Sequence, residues 1–186
     1  MIQELTLPLS RESVSALRAG DLVRLTGPLY TARDAAHKRL IALMAEGKPL
    51  PLPIRDQVLY YAGPSPAPPG LPIGSVGPTT SYRMDSYTPE LLSLGLGGMI
   101  GKGRRSPEVI EAMRRYGAVY FGATGGAAAL LARSVLSCEV IAFPDLGPEA
   151  VRRLTVERFP AIVLIDSMGN NLYEIGPSAC TRRTER

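Results

Sequence analysis

Apolar positions recur along this chain with two periods, and the switches between them predict the order of elements. Leu5, Leu7 and Leu9 alternate with polar or proline positions, the two-residue period of a strand. Ser10 then supplies an N-cap for a short helix carrying Val14 and Leu17, which Gly20 can end. DLVRLTG (21–27) returns to a strand pattern. Thr31 and Asp34 have capping-box spacing, and Ala36, Leu40, Ile41 and Met44 follow at helical spacing as far as Gly47. QVLYYAG (57–63) predicts a strand that leads into a stiff proline-rich connection, PSPAPPG (64–70). Thr88-Pro89 and Ser106-Pro107 each place an N-cap residue before a proline at the first helical position, and the second opens a helix through Tyr116 that Gly117 stops.

Further on, AVYFG (118–122) predicts a buried strand, GGAAALLARSVL (125–136) a small-residue helix and EVIAF (139–143) another strand. Leu146 and Pro148 introduce an expected helix to about Phe159. PAIVLID (160–166) and NLYEI (171–175) then read as strands on either side of a hairpin turn, SMGNN. No internal repeat or interior boundary stands out. The expectation is one α/β domain over residues 1–186, with a polar tail at about 176–186.

Composition narrows the function. A hydrophobic content of 45% over 186 residues is enough for a sizeable core, and the 17 Pro and 19 Gly are too dispersed for a low-complexity tract. The net charge of +4 and pI near 9.3 would suit nucleic acid. The bases, however, occur in no run longer than the pairs Arg104–Arg105, Arg114–Arg115, Arg152–Arg153 and Arg182–Arg183, and Trp is absent. A small acidic substrate or acidic partner fits better than nucleic acid. Only three of the 21 bases are lysine (Lys38, Lys48 and Lys102), so a lysine held between glycines in GKG (101–103) stands out. Cys138 and Cys180 form no CxxC, which argues against a disulfide scaffold, a zinc site or an iron–sulfur cluster held by this chain. The N-terminus lacks a signal-peptide pattern and no apolar run reaches the ~20 residues that span a bilayer, so a soluble cytoplasmic protein with no membrane partner is expected.

Candidate chemistry concentrates in a few loops. GPTTSYRMD (77–85) offers two adjacent hydroxyls, Thr79 and Thr80, and the guanidinium of Arg83. Such a loop can cradle a carboxylate, or it can be a proline-initiated turn with a solvated arginine. Arg33 sits in TARDAAH at a helix start, where its charge opposes the helix dipole, so a functional reason gains weight against a surface role. His37, the only histidine, follows one turn later and can orient a pocket group or merely pack. Together Arg33, Arg83 and Lys102 give three cations suited to a dicarboxylate. The inventory holds no carboxylate dyad, Cys–His pair or metal-ligand set, and threonine is a poor base unless its surroundings activate it. It resembles half of an active site.

GDLVRLTGPLYTARDAAHKRL, YYAGPSPAPPG, IGSVGPTTSYRMDSY, MIGKG, GAVYFGATGGAAALLA and FPAIVLIDSMGNNLY together resemble the β subunit of the class I fumarase and tartrate dehydratase family, the C-terminal domain in its single-chain members. The resemblance runs through about residues 5–175. It implies a swivelling β/β/α domain with mixed sheets and flanking helices. It also implies an α subunit whose cysteines hold a [4Fe–4S] cluster that this chain does not bind, and addition of water across a carbon–carbon bond of a small dicarboxylate. Carried onto these positions, Arg33, Arg83 and Lys102 would hold the carboxylates, Thr79 would be the base at C3 with Thr80 as neighbour or rival, and His37 would support. Hydration of fumarate to L-malate is the leading expectation, with tartrate or mesaconate chemistry as alternatives and a non-catalytic anion-binding module as a third class. An α–β assembly, (αβ)₂, is expected, with a homodimer when this chain is isolated.

Overall fold

A computed structural model describes residues 2–123 and 125–176. Among these residues seven strands alternate with five short helices, and residues 172–176 are helical as well. The strands are β1 (Ile2–Thr6), β2 (Leu22–Thr31), β3 (Val58–Tyr60), β4 (Gly98–Gly101), β5 (Val119–Gly122), β6 (Val135–Ala142) and β7 (Val151–Ile165). The helices are α1 (Arg11–Ala16), α2 (Asp34–Ala45), α3 (Thr88–Ser93), α4 (Pro107–Tyr116) and α5 (Ala128–Ala132). The α/β class expected from the sequence is what the chain adopts. The strands form one mixed sheet in the order β1-β2-β3-β4-β5-β7-β6, and β2 also pairs with β7.

That extra pairing closes a circuit. β2 to β5 run parallel to their neighbours, and β7 returns antiparallel between β5 and β2. Short strands inside such a circuit are buried on both faces, which explains why they read as continuous apolar runs rather than alternations. On β3, Val58 and Tyr60 point into one core, while Leu59 and the following Tyr61 point into a second core under α2, α3 and α4. β5 divides likewise, with Val119 and Phe121 in the first core and Tyr120 in the second. Tyr60 packs edge-on to Phe159 at 5.3 Å, and its buried hydroxyl donates to the Val76 carbonyl at 2.6 Å, fixing the approach to the Thr79 loop.

Four expectations are corrected. Of the segment from Leu146 to Phe159, expected to be one helix, residues 146–149 end a 3₁₀ helix (Pro144–Glu149) and the part from Val151 is β7. Its buried residues Val151, Leu154, Val156 and Phe159 imitate helical spacing. The first interval joins residues on opposite sheet faces, and the last spans an extra residue at a bulge opposite Leu25–Gly27, where Arg158 has φ +51. NLYEI is not a strand: residues 172–176 are helical after a single Ile165–Asn171 bridge, so SMGNN is not a hairpin turn. The helix expected over 125–136 is reduced to a 3₁₀ turn and α5, and β6 begins at Val135. Thr31 is not an N-cap; it ends β2, buried, and its hydroxyl accepts the Arg152 amide at 3.3 Å. Most of the polar tail, with Cys180, lies outside the described residues. Among the described residues no helix is long and apolar enough to cross a membrane.

Candidate active site

Because β2, β3 and β4 are parallel neighbours, their carboxyl ends reach one edge of the closed circuit. Arg33 lies two residues beyond β2, Gly63 shortly beyond β3, and Lys102 immediately after β4. The Thr79–Arg83 loop crosses the same edge. The Thr79 amide donates to the Tyr61 carbonyl at 2.7 Å, the Ser81 amide to the Lys102 carbonyl at 2.9 Å, and the Lys102 amide to Ser81 Oγ at 3.1 Å. Thr80 and Lys102 pair as an isolated parallel bridge. The site residues expected from the sequence therefore do converge, except that His37 sits beneath them in the core.

Hydrogen bonds fix the loop backbones, and the side chains of Thr79, Thr80 and Lys102 are less engaged among the described residues. Thr79 and Thr80 are partly exposed, and neither hydroxyl hydrogen-bonds to any described residue. The Lys102 side chain is exposed and makes no ion pair among the described residues. Gly101 is needed for a reason the sequence did not suggest. A Cβ there would overlap Ser81 Oγ, so the glycine permits close packing of the two loops rather than ligand approach.

Arg33 is the N-cap residue of α2 in extended conformation, and its side chain does not cap. Glu149 substitutes: its Oε2 accepts the Ala35 amide at 2.9 Å and its Oε1 lies 3.6 Å from Arg33 Nη2. Asp34 stands between the two guanidinium groups, with Oδ1 2.7 Å from Arg83 Nε and Oδ2 3.9 Å from Arg33 Nε. Arg33 also passes over Gly63, where a Cβ would approach Nη1 to 2.9 Å. The Arg83 side chain is 45% exposed, and an ion pair that open contributes about 0–1 kcal/mol, so an incoming dianion can take over the guanidinium from Asp34.

Three residue sets escaped the sequence reading. Asp34 was seen only as a capping residue. Glu149, at the end of a 3₁₀ helix (Pro144–Glu149), lies 114 residues from the amide that it accepts. Arg105, which stands out in the sequence only as half of the basic pair Arg104–Arg105, has a fully buried side chain beside Asp85. Basic and acidic residues carry no pattern that tells burial from exposure, so none of these had a local signal.

His37 is fully buried, edge-on to Tyr61 at 5.2 Å and stacked near Tyr87 at 6.1 Å. Its Nδ1 lies 2.9 Å from the Arg33 carbonyl oxygen, an acceptor only, so Nδ1 carries the proton. Nε2 has no partner among the described residues. Burial pushes the imidazole from 6.5 down to about 4, the Arg33 carbonyl opposing and the Arg105 charge assisting. The ring is therefore neutral at physiological pH. Between pH 6.5 and about 4 the unfolded chain binds a proton that the folded chain refuses, so stability falls as the pH drops through that window. At ~1.4 kcal/mol per pKa unit, the loss is about 3 kcal/mol, on top of the carboxylates' own titration. Urea unfolding of wild type and His37→Gln at pH 7 and at pH 4.5 checks this, with the difference between the two proteins expected to shrink on acidification.

No three His, Cys, Asp or Glu side chains converge as a metal-ligand set among the described residues. Cys138 is an intermediate-burial free thiol on β6.

Residues 2–176 match the family described as Fumarase C-terminus. The chain is 47% identical over 153 residues to "Fumarate hydratase class I, anaerobic" of Escherichia coli (strain K12), covering 81% of this chain and 28% of that protein. It is 41% identical over 172 residues to "Putative L(+)-tartrate dehydratase subunit beta" of Methanocaldococcus jannaschii, covering 89% of this chain and 88% of that protein. "Fumarate hydratase 1, mitochondrial" of Leishmania major is 45% identical over 153 residues, 81% of this chain and 28% of that protein. The chain thus spans less than a third of the length of these fumarate hydratases, and most of the tartrate dehydratase subunit.

Proposed function

Because the chain belongs to the Fumarase C-terminus family, we propose that it is the β subunit of a two-subunit hydro-lyase that interconverts fumarate and L-malate. The observation that carries this reading is the meeting of Arg33, Arg83, Lys102 and two unengaged threonine hydroxyls at the ends of three parallel strands. Two forked guanidinium groups and one ammonium suit the two carboxylates of a four-carbon diacid. They also favour an anion at the reacting carbon, because charge spread from C3 into the adjacent carboxylate meets fixed cations. In dehydration Thr79 Oγ takes the C3 proton of malate; in hydration it returns it. An ordinary alcohol is too weak a base for this, and the surrounding positive charge stabilises the alkoxide form.

The face is open, and the second wall belongs to an α subunit in an (αβ)₂ assembly. A [4Fe–4S] cluster on that subunit supplies Lewis-acid chemistry at the substrate hydroxyl, and this chain gives it no ligand from its described residues. In this reading the whole unit swivels against its partner to cover the substrate. That the M. jannaschii relative is named as a subunit favours the split arrangement. Its name also carries the second reading, L(+)-tartrate dehydration by the same residues. Mesaconate is a further candidate substrate, and an anion-binding module without catalysis is the non-enzymatic alternative.

The test is fumarate hydration after anaerobic cluster reconstitution, with this chain alone and mixed with its α subunit. Turnover in the mixture alone is expected. Turnover by this chain alone defeats the half-site reading, and a mixture that acts on tartrate but not fumarate moves the assignment to the second reading.

A further inference from the structure

The loop that carries Thr79 and Arg83 and the loop that carries Lys102 come from different parts of the chain, yet their relative placement decides whether a diacid meets all three groups. Beneath both lies Arg105, whose side chain is 0% exposed. Its Nε donates to Asp85 Oδ1 at 2.7 Å and its Nη2 to Thr88 Oγ1 at 2.8 Å, while Nη1 lies 3.6 Å from Met99 Sδ. Its guanidinium carbon sits 5.3 Å from the Tyr61 ring centre and 5.1 Å from that of Tyr120. Such a site is specific to arginine: a planar cation fits between two rings and directs donors sideways at fixed angles, which an ammonium cannot do.

Each neighbour of Arg105 holds one anchor of the two loops. Asp85 closes the end of the Thr79–Asp85 loop and, through Oδ2, accepts the Ser106 amide at 2.6 Å, tying that loop to the one after Lys102. Tyr61 supplies the carbonyl that accepts the Thr79 amide. The Tyr120 hydroxyl lies 2.9 Å from both Ser81 Oγ and the Gly103 carbonyl oxygen, bridging the residues that follow Thr80 and Lys102.

We propose that Arg105 is a positioning residue, the common pin on which Asp85, Tyr61 and Tyr120 hold Thr79, Thr80 and Arg83 in register with Lys102. It touches no substrate. The inference deepens the proposed function and rests on that reading for its kinetic consequence alone; the clamp itself is a property of this chain.

Two measurements separate the two levels. In the isolated chain, Arg105→Lys speeds hydrogen exchange at the Ser81 and Lys102 amides by about tenfold or more, while amides of the β2–β7 ladder keep their protection. Tyr120→Phe, which removes one hydroxyl and keeps the ring, shows the same local pattern to a smaller degree and decides the matter if Arg105→Lys does not fold. Unchanged exchange at both amides, or acceleration spread evenly through β2 and β7, overturns the proposal. In the reconstituted α–β assembly, Arg105→Lys lowers kcat about 10–100-fold and raises the KM for the diacid as well, since an ångström of misplacement disturbs both binding and chemistry. Mere loss of folded protein would lower apparent kcat at constant KM, and that outcome also overturns it. A wild-type assembly inert toward every diacid would defeat the proposed function while the exchange result still decides the clamp.

Discussion

Thr79→Ala is expected to lower kcat of the α–β assembly by about 10³-fold while leaving the KM for the diacid within a few-fold, because a positioned proton-transfer group contributes ~10²–10⁴ in rate and the cations that bind the substrate remain. Thr79 and Thr80 are adjacent and partly exposed, and their hydroxyls are equally free of hydrogen bonds among the described residues, so the comparison between them is decisive. Thr80 stands opposite Lys102 in a bridge whose hydrogen bond runs from the Ser81 amide to the Lys102 carbonyl, and Thr80→Ala should cost less than about tenfold through small shifts of that bridge. Thr79→Ser keeps the hydroxyl and should recover most of the rate. Exchange of the C3 proton of malate with solvent deuterium gives an independent reading, since the Thr79→Ala protein should lose exchange in parallel with turnover. If Thr80→Ala showed the deeper loss, the two residues would swap roles and the rest of the site would stand.

The second large effect concerns stability. Asp85→Ala leaves the Arg105 guanidinium buried without its carboxylate and removes the acceptor of the Ser106 amide at the start of α4. Removing one member of a buried ion pair costs about 3–5 kcal/mol, chiefly the penalty of an uncompensated charge. The urea midpoint of Asp85→Ala should fall accordingly. Adding Arg105→Met should restore more than half of the loss, because no charge then remains to be solvated. The deficit that persists reflects the Ser106 amide, about 1 kcal/mol. A double variant no more stable than the single one would mean that the pair acts through shape rather than charge.

Local rules were most readable where a backbone conformation depends on one residue. Ser106 caps α4 by accepting the Val109 amide, and Gly117 ends it in the left-handed region at φ +70, as their positions in the sequence imply. Ser10 likewise accepts the Ser13 amide. β7 was misread because a bulge displaced its alternation, and a bulge is set by the partner strand rather than by its own residues. The site was readable as a set of unusual loops, GPTTSYR, TARDAAH and GKG, each odd enough to draw attention. What the sequence could not show was the set of contacts made across the fold. Asp34 sharing two arginines, Glu149 capping α2 and Arg105 lying under everything depend on contacts between distant segments, and those have no periodicity to read.

The closed circuit of strands also governs the order in which this protein can be made. β2 emerges well before its long partner β7; Thr31 and Arg152, paired in the finished sheet, are 121 residues apart. Glu149, which completes the start of α2, follows its partner Ala35 by 114 residues. Contacts of such span carry a large loop-closure entropy and form slowly. Arg33, Thr79 and Lys102 are therefore all synthesised before the strand that closes the circuit beside them, and the finished arrangement waits on β7.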